Sequence, residues 1–298
     1  MTSRREFLEA AGRVGLGAAA FGAGVALDPR RGAAAADSVR TILVDGCPLS
    51  RRAALGFATM ATAGALAPAR AWGRASEEGH RPFLELPILA EDPTAVPVRA
   101  GVDHPMERDH FIKSIELTLP GDPIPHKGTF RFTPASGRAW VAFPMRSGLG
   151  GLLRATVECS RHGRFVGTRE LRVAGDGCAA VPAPPDKTQV GRPRLRLPRT
   201  PAAGETVEVW ARVEHDSDTG LSLRDGSYVR VRPEFFVRQM RVYLDQSLVS
   251  DFQFTAALSP NPIIRFPLKV TRASRLRVIF VNNRGQRWEA TERIQPTG

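Results

Sequence analysis

Beyond its first eighty or so residues the chain alternates apolar and polar positions with a period of two, in runs the length of short strands. In the block that starts at Phe111, the side chains of Phe111, Lys113, Ile115 and Leu117 point one way and those of Ile112, Ser114 and Glu116 the other. Val278, Phe280 and Asn282 alternate with Ile279 and Val281 in the same manner. Turn-forming triplets such as Arg161-His162-Gly163 and Asn283-Arg284-Gly285 separate the runs and predict hairpins. No segment has the apolar spacing of a long amphipathic helix. Many short strands with frequent turns predict an all-β protein built as antiparallel sandwiches.

The blocks recur. FIKSIELTL at Phe111 is matched by FVRQMRVYL at Phe236, the block at Thr129 by one at Asp251, and the block at Leu153 by one at Leu276. A steady offset between them indicates a duplicated module. The expected organisation is an export region over 1–72, a first sandwich over 81–174, a connecting arm and linker over 175–190, and a second sandwich over 191–296. The stretch from Ala174 to Pro193 is rich in Gly, Ala and Pro and lacks apolar periodicity, which predicts an exposed, flexible linker.

The start of the 298-residue chain reads differently. Arg4-Arg5 precedes the apolar run Val14–Leu27, and Ser50-Arg51-Arg52 precedes a second run that ends at Ala69-Arg70-Ala71. Twin arginines, a moderate apolar core and a small-residue cleavage site make a Tat-type export signal, here in tandem. The mature part is then expected near Trp72 onward, in the periplasm and without a membrane span. The net charge is +12. No recognition-helix or RNA-binding pattern accompanies it, so nucleic acid is not an expected partner.

Three cysteines are too few for a disulfide framework. Cys47 lies in the export region. Cys159 follows Val157 by two along a strand and is expected to be a small buried hydrophobe. Cys178 stands in Gly175-Asp176-Gly177-Cys178-Ala179-Ala180, where small neighbours predict an accessible thiol on a flexible arm. His80, His104, His110, His126, His162 and His215 show no expected metal-ligand spacing, and no nucleophile elbow, phosphate loop or HExxH occurs. Asp176 disfavours a thiolate at Cys178. These features predict a carrier with no catalytic residues, metal or cofactor of its own.

The ordered set LELPILAEDPTAVPVRAGVDHPM, KSIEL, FRFTPASGRAWVAFPMR and Gly-Asp-Gly-Cys178 resembles SoxY, over roughly 81–180. PRLRLPRTPAAGETVEVWARVEHDSDTG, DFQFTAALSPNPIIRFPLKV and the hairpin through Trp288 resemble SoxZ, over roughly 191–295. The resemblance implies two immunoglobulin-like sandwiches and a swinging-arm cysteine, Cys178, that carries sulfur intermediates of thiosulfate oxidation. It also implies three visiting partners: a c-type cytochrome, a sulfate-releasing hydrolase and a sulfur dehydrogenase. Two departures stand out. Ala179-Ala180 replace the glycines that follow the cysteine in SoxY, and the chain continues instead of ending. His215-Asp216-Ser217-Asp218 stands where SoxZ tends to read His-Pro-Met-Glu. A carrier for a quinoprotein dehydrogenase system and an extracytoplasmic scaffold or adhesion module are the rival readings.

Overall fold

The computed structural model describes residues 79–179, 190–198 and 200–297. The export segments and residues 180–189 of the expected linker lie outside them. The first half carries β1 (Pro82–Glu85), β2 (Leu89–Ala90), β3 (Val96–Val102), β4 (Ile112–Thr118), β5 (His126–Phe132), β6 (Ala139–Met145), β7 (Gly151–Cys159) and β8 (Gly163–Val173). The second carries β9 (Arg194–Arg196), β10 (Thr206–Arg212), β11 (Leu221–Arg224), β12 (Ser227–Arg230), β13 (Val237–Leu244), β14 (Ser247–Phe254), β15 (Ile263–Lys269), β16 (Ser274–Asn282) and β17 (Arg287–Ile294). The described residues contain no α-helix, only a 3-10 turn at Pro134–Ser136. The all-β, two-module reading holds.

The two modules share their sheets. One shared sheet runs β1-β3-β6-β15-β10-β9 and the other β17-β16-β13-β14-β5-β4-β7-β8-β2, while β11 and β12 form a separate two-stranded sheet. From the centre outward, each shared sheet presents equivalent strands of the repeat in the same order on both sides, the arrangement a two-fold axis generates, with β2 added at the first module's edge of the larger sheet. In the larger sheet β14 and β5 pair antiparallel from Ser250↔Phe132 to Phe254↔Gly128. In the smaller, β6 and β15 meet at Ala142↔Arg265. Edges that would otherwise invite pairing with another chain are thereby satisfied within the molecule.

Repeat-equivalent phenylalanines fill this seam. Phe130 and Phe252 lie with ring centroids 5.5 Å apart, Phe132 and Phe252 5.4 Å, and Phe143 and Phe254 5.5 Å. All are buried. Each contributes roughly 1.5–3 kcal/mol of burial, so separating the halves would be costly.

The hairpin turns fall where expected, with Gly163 (φ 84°) after β7 and Gly285 (φ 81°) after β16. The side-chain alternation of β4 departs in one place. A register shift between Ile112 and Ser114 brings Ile112 into the core with Ile115 and Leu117, instead of opposite them. The same shift recurs between Val237 and Gln239 of β13.

Candidate functional sites

Cys178 is buried, with none of its surface exposed, so the expectation of an accessible thiol on a free arm is corrected. Gly175, Asp176, Gly177, Cys178 and Ala179 fold back against the body, while Ala180 lies outside the described residues. The Gly177 N–H donates to the Ser147 carbonyl (3.0 Å). A side chain on Gly177 would stand 1.9 Å from the Pro93 carbonyl oxygen, so only glycine fits there. Asp176 Oδ1 accepts the N–H groups of Cys178 (2.8 Å) and Ala179 (3.0 Å), which curls the segment into a turn.

Both modules hold the arm. Arg146 Nη1 donates to the Gly177 carbonyl (3.0 Å) and Nη2 to the Ser217 carbonyl of the second module (2.8 Å). The Thr219 hydroxyl donates to the Cys178 carbonyl (2.6 Å). Beneath the thiol lies a buried ion pair, Lys127 Nζ to Asp122 Oδ1 at 2.7 Å. Ser147 and the Gly148 N–H donate to the other Asp122 oxygen, and Lys127 also donates to the Arg146 carbonyl. Burial alone would raise the Asp122 pKa, but the Lys127 charge and these donors outweigh it and hold the carboxyl below its usual range. The Cys178 sulfur sits 3.7 Å from Asp122 Oδ1. Burial first, and the Asp122 charge second, push its pKa up to about 12. Docked, the thiol is protonated and unreactive. Sequence reasoning found Cys178 and missed this cradle, because Asp122, Lys127, Arg146 and Thr219 are scattered along the chain.

A second constellation lies at the edge of the first module, and it corrects the expectation that the histidines lack metal-ligand spacing. One ligand atom each from His80, His110, Cys159 and His162 lie within 4.8 Å of one another, a group able to hold a metal ion. His104 joins them, its Nε2 3.0 Å from His110 Nε2. His110 Nε2 is 3.1 Å from His162 Nδ1, which is 3.1 Å from His80 Nε2 and 3.8 Å from Cys159 Sγ. Cys159 is buried as expected, but with a histidine at its sulfur.

Local structure explains the convergence. Cys159 ends β7 opposite Ile112, at the register shift. Ser160 is locked to Phe111 by two hydrogen bonds, and Arg161 Nε donates to the Asp109 carbonyl (2.9 Å). These bonds tie the His104–His110 loop to the His162 turn. Reciprocal backbone bonds between Glu107 and His110 tighten that loop. His80 stacks on Phe165 of β8, with centroids 4.6 Å apart. His104 Nδ1 bonds to the Pro105 carbonyl, which leaves Nε2 facing inward. Burial, above all, lowers the pKa of His104 and of His110. His80, His104 and Cys159 are buried and His162 is exposed, so the group sits at the surface with the sulfur beneath.

Two immunoglobulin-like modules that jointly cradle a cysteine at the end of the first define a carrier-type β-sandwich protein. Comparison of the sequence gives the family: residues 70–178 match Sulfur oxidation protein SoxY and residues 195–293 match Sulphur oxidation protein SoxZ. The chain belongs to the SoxY and SoxZ families, fused in one polypeptide. A curated protein described as "Putative superoxide reductase", from Methanocaldococcus jannaschii, is 33% identical over 98 residues, covering 32% of this chain and 84% of that protein. Over that one-module length the chain is also a relative of that protein's family. Among solved structures, a superoxide reductase (neelaredoxin) from Ignicoccus hospitalis is 18% identical over 37% of this chain and 85% of that one, with a TM-score of 0.29. One from Thermotoga maritima is 15% identical over 36% and 86%, with a TM-score of 0.26.

Proposed function

We propose that this chain carries sulfur intermediates of thiosulfate oxidation as covalent adducts on Cys178. The observation that carries the reading is that the SoxY match ends on Cys178 itself. Conjugation joins the Cys178 sulfur to the outer sulfur of thiosulfate. The thiol proton is released and two electrons pass to an oxidising partner of the c-type cytochrome class. A sulfate-releasing hydrolase and a sulfur dehydrogenase then act on the adduct. The docked arm supplies the resting state, with the thiol protonated and out of reach, and the arm must leave its cradle for each visit. The periplasm is the expected compartment, from the twin-arginine segments in 1–72. Intact mass spectrometry of the full chain, after incubation with thiosulfate and an oxidised c-type cytochrome, should show a gain of about 112 Da, estimated from cysteine oxidation chemistry. Cys178→Ala should remove it, and an adduct that persisted on that variant would sink the reading.

A second reading concerns the histidine–cysteine corner, and the relative named a superoxide reductase favours it. There the first module reduces superoxide, which takes one electron from a small reducing redox protein and two protons from solvent to give hydrogen peroxide. Stopped-flow decay of superoxide in the presence of the full chain tests it. Decay no faster than without protein removes the reading and leaves the carrier untouched.

A further inference from the structure

We propose that the cradle distinguishes an empty arm from a loaded one: it accepts Cys178 only as a free thiol, and an anionic group conjugated to that sulfur keeps the arm out. The inference rests on the carrier reading and names how that same site is regulated.

The bonds that hold the arm divide by the part of it they touch. The Gly177 N–H, the Gly177 carbonyl and the Cys178 carbonyl are held by Ser147, Arg146 and Thr219 in turn. Tyr228 of β12 closes the outer side. Its hydroxyl donates to Asp176 and lies against Gly148, where an added side-chain carbon would meet it at 2.6 Å. These contacts reach the backbone or Asp176 and do not involve the side chain at 178. The sulfur is what enters the interior. It is fully buried, and the thiol donates to Asp122 Oδ1, 3.7 Å away.

Asp122 accepts a thiol and resists an adduct. Lys127 Nζ (2.7 Å) and the Ile124 N–H (3.2 Å) share its Oδ1 with the thiol. Ser147 Oγ (2.7 Å) and the N–H groups of Gly148 (2.9 Å) and Leu149 (3.4 Å) take Oδ2. The carboxyl is therefore ionised and surrounded by donors. A conjugated sulfur has no proton to give, so its lone pairs would face a carboxylate. A thiosulfate-derived group would also bring further atoms and a negative charge into the same buried space, where like charges repel strongly. The nearby cations are already engaged. Lys127 holds Asp122 and the Arg146 carbonyl, and Arg146 turns both Nη groups to the carbonyls of Gly177 and Ser217. The turn has no slack on the Pro93 side, since a side-chain carbon on Gly177 would stand 1.9 Å from the Pro93 carbonyl oxygen.

The consequence is a bias set by the load. The empty arm opens briefly and closes again. Once conjugated it cannot re-enter, so the open state is the one populated. Enzymes that act on the adduct then meet loaded arms, and empty arms do not compete for them. The free thiol, meanwhile, is kept from stray oxidants.

The test labels the full chain with iodoacetate, which reacts whenever the arm opens and leaves a carboxymethyl anion on the Cys178 sulfur as iodide and the thiol proton depart. Peptide mapping confirms the label at Cys178. Hydrogen exchange over residues 174–179 is then compared with that of the unlabelled chain, with the β5–β14 seam as the control for folding. Carboxymethylation should speed exchange in the arm at least ten-fold and leave the seam unchanged. Cys178→Ser, which keeps a donor for Asp122 and carries no load, should stay within about two-fold of the unlabelled protein. An arm that remains protected when carboxymethylated overturns the inference. So does an arm that opens as far with Cys178→Ser, because release would then not depend on the load. The reagent is not thiosulfate, so an arm released by the label in a protein that forms no thiosulfate adduct would leave the inference standing while the carrier reading fell.

Discussion

The same corner of the repeated module is built twice in this chain, and the two copies have gone different ways. In the first, four histidines and Cys159 turn their ligand atoms toward one point near the surface. In the second, His215 is sealed: Phe235 covers one face, Trp288 stands 5.8 Å away at an angle, and Asn282 Nδ2 meets its Nε2 at 3.3 Å. Asn282 also accepts the N–H groups of Arg284 and Gln286, so its side chain organises the β16–β17 turn. A corner that keeps one histidine and surrounds it with rings and an amide is structural. The first corner instead brings four ligand atoms, from His80, His110, Cys159 and His162, within 4.8 Å of one another, a group able to hold a metal ion. The second module has a different task, since its Ser217, Thr219 and Arg146-facing segment close over the arm of the first.

The largest expected effect breaks the comparison at the first corner. Metal at a thousand-fold excess over its dissociation constant should stabilise the folded chain by about 4 kcal/mol, read as a rise in Tm that a chelator reverses. His162→Gln, which removes one of the ligand atoms, should reduce that stabilisation by about 1.4 kcal/mol or more, and Asn282→Ala should leave it.

Next is the pH dependence of the second corner. Burial, above all, lowers the His215 pKa to about 4, whereas an unfolded histidine titrates near 6.5. The folded state resists protonation, so the contribution of His215 is present above pH 6.5 and is lost as the pH falls toward 4. It amounts to about 3 kcal/mol. In the metal-free protein, His215→Gln should flatten the loss of stability between those values, as measured by urea unfolding. An unchanged slope would show that His215 is not sealed.

Asn282→Ala is expected to cost about 2 kcal/mol, since it strips hydrogen bonds from a buried histidine and two turn amides. Cys159→Ala at the equivalent position, without metal, should cost less, since it leaves no comparable set of unpaired groups. Smallest is the arm. Thr219→Val removes the hydroxyl that holds the Cys178 carbonyl, worth about 1 kcal/mol, so Cys178 should alkylate about five-fold faster. No change in rate would mean that the second module does not restrain the arm.

The strands, the hairpins at Gly163 and Gly285, and the duplication were legible in the sequence because period-two alternation and turn residues are local signals. The shared sheets were not. The row Phe130, Phe132 reads the same whether its strand is an edge or pairs with Phe252 and Phe254 across a seam. Nor was the burial of Cys178. Gly and Ala read as a linker, yet the absence of side chains is also what lets Gly177 press against Pro93. The histidine corner left two local traces, His104 with His110 and Cys159 with His162. These become one site only when the β4–β7 register brings the loop and the turn together and His80 arrives from before β1.

The carrier claim is tested most directly by peptide mapping of the protein after thiosulfate turnover with its oxidising partner. The expected result is a thiosulfate-derived adduct on the peptide containing Cys178 and none on the peptide containing Cys159. An unmodified Cys178, with sulfur found on Cys159 or nowhere, would contradict it.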